Sequence, residues 1–455
     1  MVDEVIPFDP RSYRCPQCGL LPQRNNALDE VAEIKEIQVR AYVRRIRREA
    51  YTPTCQCGKL PAIITPPPPI RLIPRSPYGV SFWVEVIVTK FHYEQPTHRL
   101  LEDLRSQGMP VSPGTVAGGL HALAPLFDPL IDALYDRQMH EELFNCDETR
   151  WEVFVNMANK VGSRWYLWVM RSASVIFYDL APSRSAAVPG AHFAGHQGDR
   201  AIIVCDRYSA YKKLARLSGI ILAFCWAHVR RDFLEAGRSF AELESWALAW
   251  KERIGELYHL NQQRLEHWQP DRPLFEQNGA FHASHAALAA ALDSIHAEAT
   301  QLALPESKQD KQVIELLLEP KTPASISRTA RNEQRKIAQS LLDHWPELRL
   351  FFDHPEVPMD NNRAENAIRG PVNGRKNYYG SSSLWSAALT AALFSIFQTL
   401  DLWGIPVRHW LQIYLQACAE NGGKAPADVT PFLPWSLADA PRGALPRCLP
   451  PPDTS

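Results

Sequence analysis

The sequence predicts an α/β protein, and three observations carry that expectation. Three consecutive segments of strand character lie between Leu143 and Leu180. An apolar run, a helical stretch and a second apolar run follow between Ala201 and Cys225. A long region of helix-forming composition, residues 229–345, then separates these from a last helical block. At roughly 100 to 200 residues per domain, a chain of 455 residues makes about three folded units. Lys plus Arg number 49 against 50 Asp plus Glu, a formal charge of −1, so no global basic field exists and phosphate binding must come from local patches.

The elements justify themselves in order. Residues 1–64 read as a small cysteine-containing unit, in which Ile37, Val39, Ala41 and Val43 alternate with polar neighbours at the period of a strand. TPPPPIRLIPRSP, residues 65–77, has the composition of a stiff linker and interrupts both helix and ladder. Residues 78–141 turn helical, with Ser112 and Pro113 marking a helix start; the two helices joined at QGMPVSP resemble a helix-turn-helix only weakly, and two packed helices around such a turn are more often simple core structure. In residues 142–228 the strands Leu143 to Phe154, Arg164 to Arg171 and Val175 to Leu180 form a meander, and Ala201 to Cys205, a helix near Ser209 and Gly219 to Cys225 follow. That order is ribonuclease H-like. Residues 229–345 then form a helical insertion, and residues 346–420 resume the core with helices after Asp360, through Leu384 to Leu402 and through Val407 to Glu420. The proline-rich tail, 421–455, is expected to be irregular or disordered.

Nine cysteines, unevenly placed, fit no disulfide framework, so a reducing compartment is expected. The N-terminus has no signal-peptide pattern, and the most apolar stretch, Ala387 to Ile405, is interrupted by Thr390, Ser395, Gln398, Thr399 and Asp401. The expectation is a soluble cytoplasmic protein with no membrane association.

Three carboxylates stand out. Asp147 lies inside an apolar strand, where an ionised group is costly unless a metal, a hydrogen-bond network or solvent offsets it. Asp206 ends another strand, where open α/β sheets place their sites, and Glu365 opens a helix with Asp360 as expected N-cap. Clustered hard oxygen ligands select Mg²⁺ or Mn²⁺, and two such ions drive phosphodiester displacement without a side-chain nucleophile. The bland alternative makes each acid a surface charge or a cap. Glu148 points to the opposite sheet face in a regular strand, and Asp360 competes with Glu365.

Cys15-Pro-Gln-Cys18-Gly has the spacing of a zinc knuckle, and Cys55-Gln-Cys57 could complete a structural Zn²⁺ site; free cysteines are the alternative. Arg40, Arg44, Arg45, Arg47 and Arg48 lie between the two pairs and suit DNA-backbone contact, or a merely solvated strand. Arg363, Arg369, Arg375 and Lys376, beside Tyr378 and Tyr379, suit phosphate contact and stacking, although Arg369 could pair with Glu365 along its helix. Cys225 and His228 offer only two metal ligands and read, like Asp360, as supporting residues, with an ordinary core histidine the alternative for His228. Tyr208 and Tyr211 follow Asp206, but the carboxylates make a tyrosine nucleophile unnecessary.

CDETRW around Asp147, VCDRYSAYKKL around Asp206, CWAHVRRDF around His228 and DNNRAENAIRGPVNGRKNYYGS around Glu365 resemble, in order and spacing, the insertion sequence 66 family of DDE transposases. The resemblance runs from about Cys15 to Trp435 and implies that Asp147, Asp206 and Glu365 are catalytic, holding two Mg²⁺ or Mn²⁺. It further implies DNA partners, namely terminal inverted repeats and target DNA, a homo-oligomer on DNA, small accessory proteins of the same element, and a bacterial cytoplasm with the protein on the nucleoid when bound. Three departures stand beside it: few residues precede Cys15, Asn366 follows Glu365 where Arg is usual, and the second cysteine pair has a one-residue spacer. A non-catalytic DNA-binding relic is the rival reading. A glycoside hydrolase is weaker, because the acids sit among Arg and Lys and lack an aromatic platform.

Overall fold

The computed structural model describes residues 14–23, 40–54, 59, 61–157, 162–304 and 326–438. Its centre is a sheet of five strands, β1 (Leu143–Glu152), β2 (Arg164–Arg171), β3 (Ile176–Ala181), β4 (Ile202–Cys205) and β5 (Ile221–Phe224), in the order β3-β2-β1-β4-β5. β1, β2 and β3 are antiparallel neighbours, whereas β4 and β5 run parallel to β1. The three long strands alternate by face, as a period of two requires. Phe144, Cys146, Trp168 and Met170 face one core, and Trp151, Val153, Trp165, Leu167 and Val169 face the other. Both faces are covered, so β4, with every residue buried, shows no polar alternation at all.

On one face lie the first four helices, α1 (Val80–Ile87, continued by a π turn over Val88–His92), α2 (Thr97–Ser106), α3 (Pro113–Leu123) and α4 (Asp128–Met139). Ser112 caps α3 by accepting the Thr115 N–H at 3.1 Å, with Pro113 in the first turn. Gly119 lets α3 lie against α1, since a Cβ there would sit 1.8 Å from the Trp83 ring. The sequence of α3, PGTVAGGLHAL, holds no Lys or Arg, which gives it little affinity for phosphate.

The second face carries α5 (Ala187–Phe193), α6 (Ser209–Ser218) and α7 (Trp226–Ser239), and beyond them α8 (Glu244–Glu266), α9 (Gly279–Ala303), α10 (Arg328–Asp343) and α11 (Trp345–Asp353). The described helices of the region expected at 229–345 are therefore packed onto the core. Phe233 stacks on Trp250 with ring centroids 4.3 Å apart, and the fully buried Arg264 donates to the Phe351 and Phe352 carbonyls at 2.8 Å each.

The chain then returns to the first face through α12 (Asn362–Tyr378), α13 (Leu384–Leu402) and α14 (Val407–Glu420). By length and composition α13 could cross a membrane, yet 61% of its apolar window is buried inside the protein. Its polar interruptions have a structural purpose. β3 is an edge strand, and edges need cover. The Ser395 and Thr399 hydroxyls accept the outward Tyr178 and Ile176 N–H groups at 2.8 and 3.0 Å. Residues 421–438, expected to be irregular, pack on α14: the Trp410 indole donates to the Phe432 carbonyl at 2.8 Å, and a last helix, α15 (Pro434–Ala438), follows.

The alternating pattern at residues 37–44 does not become a strand within its described part. Residues 40–50 form no strand and have no ladder partner, Val43 is 86% exposed, and the Ala41 N–H is taken by the Gln107 side chain of the loop after α2, at 2.6 Å. Alternation without an adjacent strand cannot make a sheet. One antiparallel bridge, Tyr51 to Ile64, closes this region.

Candidate active site

The sheet register brings the first two carboxylates together. β1 and β4 pair in parallel through Leu143 with Ile202, Phe144 with Ile203 and Asn145 with Val204. Two residues further along each chain stand Asp147 and Asp206, at the same step of adjacent backbones about 4.8 Å apart. Asp147 faces the α12 side of the sheet, and α12, which packs against β1 and β2, carries Glu365 in its first turn. Burial pushes the Asp147 carboxyl up to about 7; the Glu148 charge raises it further, the Glu148 N–H opposes this, and the charges of Asp206 and Glu365 add to it. The Glu148 N–H donates to Asp147 at 2.8 Å, and the Tyr208 N–H donates to Asp206 at 2.9 Å.

Glu148 belongs to a separate structure on the opposite face. Its side chain, 2% exposed, accepts from Arg184 at 2.7 Å and from the Tyr211 hydroxyl at 2.9 Å. Arg184 stacks on Tyr208, whose hydroxyl donates to the Arg184 carbonyl at 3.0 Å. Tyr208 and Tyr211 thus both spend their hydroxyls on structural bonds.

Glu365 approaches α7. Its Oε1 lies 3.8 Å from His228 Nδ1, and both atoms are buried without a hydrogen-bond partner. Among the described residues, Cys225, His228 and Glu365 bring their ligand atoms within 4.8 Å of one another; Asp147 and Asp206 are outside that group. Burial, followed by the Arg231 charge, holds His228 below its ordinary value, which keeps the imidazole neutral and able to coordinate. Tyr258 of α8 ends nearby: its hydroxyl is buried and unpartnered, and after burial the charges of Asp360 and Cys225 push it up.

Asn361 seats α12. It is 1% exposed, its amide donates to the Cys146 carbonyl at 2.7 Å, its oxygen accepts from Asn145 at 3.0 Å, and its N–H donates to Cys225 Sγ at 3.2 Å. The sequence-based N-cap, Asp360, instead turns outward and binds the Asn362 N–H and amide at 3.1 and 2.7 Å. The helix starts one step later because Asn361 is committed to β1.

The family model described as "Transposase IS66 family" matches residues 75–389, well over half of the chain. The chain belongs to the IS66 family of transposases. It is also similar to two proteins of Sinorhizobium fredii, "Uncharacterized protein y4hP" and "Uncharacterized protein y4jD". The first is 23% identical over 436 residues, covering 94% of this chain and 74% of the relative. The second is 24% identical over 447 residues, covering 94% and 79%.

The matched span of this IS66 transposase contains the whole site and its basic helix. On α12, Arg363, Arg369 and Lys376 are exposed, and the near neighbour of Glu365 is His228 and not Arg369. Arg375 is turned inward and donates to the Thr149 hydroxyl at 3.2 Å and to the Arg150 carbonyl, which staples α12 to β1. Tyr379 is 73% exposed, whereas Tyr378 lies under the Lys90 ammonium at 4.2 Å. Outside the matched span, Arg40, Arg44, Arg45, Arg47 and Arg48 are all exposed, and Arg48 also holds the Pro66 carbonyl at 2.8 Å. Cys15 and Cys18 flank an exposed turn closed by the Gly19 N–H on the Cys15 carbonyl at 2.9 Å, with Gly19 at φ +72°. Backbone N–H groups of Gln17 and Cys18 hold the Cys15 thiol below its ordinary value. Cys55 and Cys57 lie outside the described residues.

Proposed function

We propose that this IS66 transposase is a metal-dependent polynucleotidyl transferase that cuts the ends of its element and joins them to target DNA, using Asp147, Asp206 and Glu365. The observation that carries this is the shared step of Asp147 and Asp206 on neighbouring parallel strands, with Glu365 in the first turn of the helix that packs on β1. The strand order, antiparallel on one side of β1 and parallel on the other, supports a ribonuclease H-like core.

The donor set fits Mg²⁺ or Mn²⁺: all three donors are carboxylates, none is paired with a Lys or Arg among the described residues, and Glu365 Oε1 is buried with no partner. When bound, two such ions activate the attacking oxygen and stabilise the leaving one. The chain does the rest. β1 and β4 fix two carboxylates on a rigid sheet, and Asn361 and Arg375 hold the helix that carries the third. Arg184 neutralises Glu148, so a fourth free anion does not compete for the cation. Arg363, Arg369 and Lys376 face the DNA phosphates, with Tyr379 free to stack on an unpaired base.

Cys15 and Cys18, with Cys55 and Cys57, hold one structural Zn²⁺, and the knuckle-like turn at Cys15 to Gly19 supports that assignment. The exposed arginines 40, 44, 45, 47 and 48 track the DNA backbone beside it. The protein assembles as an oligomer on terminal inverted repeats, aided by small accessory proteins of the element. The test is an end-labelled duplex carrying the element's terminus, incubated with Mg²⁺ or Mn²⁺. Nicking at the terminus with a free 3′-hydroxyl, followed by joining to a target plasmid, is the expected outcome. Retarded mobility without any nick favours the binding-only relic.

A further inference from the structure

Cys225 caps the N-terminus of α7 at the end of β5, His228 sits in the first turn of the same helix, and Glu365 faces both from the first turn of α12. Two helix N-termini therefore converge on one point, and both favour anionic ligands there. The sulfur already accepts the Asn361 N–H at 3.2 Å, which fixes its position. His228 Nδ1 and Glu365 Oε1 face each other at 3.8 Å, buried and without hydrogen-bond partners. Unpartnered buried polar atoms are costly, and a pair of them beside a thiol calls for a common ligand. The three donor atoms lie within 4.8 Å of one another. A tetrahedral ion with bonds of about 2.0 to 2.3 Å spaces its donors about 3.3 to 3.8 Å apart, so modest side-chain rotation closes the set.

The donors are one sulfur, one imidazole nitrogen and one carboxylate oxygen. This set suits Zn²⁺, which takes three protein ligands and keeps a fourth position open. It suits Mg²⁺ poorly, because that ion prefers oxygen. Side-chain exposure of 24% at both His228 and Glu365 gives an ion a path from solvent.

We propose that Cys225, His228 and Glu365 form a second, soft-cation site that takes Zn²⁺ and, by claiming Glu365, withdraws it from Asp147 and Asp206. The binding site stands on its own geometry; its inhibitory effect rests on the reading of Glu365 as the third carboxylate of the DNA-cutting site. Glu365 is then a switch between two metal environments, and free zinc represses strand cleavage.

The full-length protein is titrated with Co²⁺ as a spectroscopic probe of zinc sites, following the thiolate-to-cobalt absorption band. The wild type is expected to bind one ion more per chain than C225S, C225A or H228A. Losing one of three ligands should weaken this site by at least about 10- to 100-fold, since outer-shell partners alone are worth that much. D147N, which leaves this donor set intact, should bind like the wild type. Each variant's thermal unfolding is recorded so that only folded protein is compared. Unchanged stoichiometry and band in folded C225S and H228A overturn the proposal, even if E365Q abolishes cleavage. In the same preparations, Zn²⁺ added to a Mg²⁺-driven cleavage reaction should inhibit the wild type and lose its effect on C225S, each relative to its own zinc-free rate. If cobalt binding follows Cys225 while E365Q still cleaves, the site stands and the catalytic reading of Glu365 fails instead.

Discussion

Asn361 is where a single substitution should separate hydrogen bonding from packing. Its side chain, 1% exposed, donates to the Cys146 carbonyl at 2.7 Å and accepts from Asn145 at 3.0 Å, and both partners are themselves buried. Asn361→Ala leaves one carbonyl and one amide unsatisfied, at about 1 to 3 kcal/mol each, so a total loss of about 2 to 6 kcal/mol is expected. Asn361→Asp keeps the volume but sets a carboxylate oxygen against the Cys146 carbonyl in a buried place, and should be no better than alanine. Denaturant unfolding of the three proteins, with the slope checked for constancy, measures this. The same variants should slow strand cleavage, because α12 carries Glu365 and Asn361 seats it on β1. An aspartate variant as stable as the wild type, or an alanine variant within about 0.5 kcal/mol of it, refutes the hydrogen-bond argument, since ordinary surface changes stay within that range.

Other outcomes follow from the same reasoning. Burial holds His192 down at about 3, well under its unfolded value near 6.5, so its stabilisation is complete above about pH 6.5 and is lost as pH falls toward 3, reaching about 2 kcal/mol lost by pH 5. Unfolding midpoints at pH 7.5 and 5 should therefore differ more in the wild type than in H192Q, and equal differences count against it. Gly119→Ala drives a Cβ into the Trp83 ring and should cost about 1 to 3 kcal/mol, read as a lowered melting temperature. Arg184→Ala strips the buried Glu148 of its cation and should destabilise more than Glu148→Gln, which retains the Tyr211 bond; the reverse ranking in unfolding assays would contradict the pairing.

Much of the core was legible because strand and helix periods are local. β2 was read at its actual bounds, and so were the helices Leu384–Leu402 and Val407–Glu420. The sequence also indicated Asp147 and Asp206 as strand-borne acids, but their common step depends on the register between β1 and β4, a nonlocal property. Asn361 gave no signal beyond its place in a motif, since burial of an asparagine is decided by what packs on it. Tyr258 was invisible for the same reason: it lies in the helical insertion, and only the packing of α8 on α7 brings it near Glu365. The meeting of Cys225 and His228 with Glu365 joins segments far apart in the chain, so two candidate donors were seen where three come together. Conversely, the alternation at residues 37–44 was a local pattern with no strand beside its described part to pair with. In α13 the polar interruptions were read as evidence against a membrane span, while two of them, Ser395 and Thr399, take the edge N–H groups of β3.

The central claim is that Asp147, Asp206 and Glu365 work as one set while the nearby Asp360 does not. Rates of Mg²⁺-dependent cleavage of the element's end, measured for D147N, D206N, E365Q and D360N, test it most directly. The first three should each fall by about 10³-fold or more, equivalent to about 4 kcal/mol of lost transition-state stabilisation, with D360N within about tenfold of the wild type. Near-normal cleavage by any of the first three, or a collapse confined to D360N, would contradict the account.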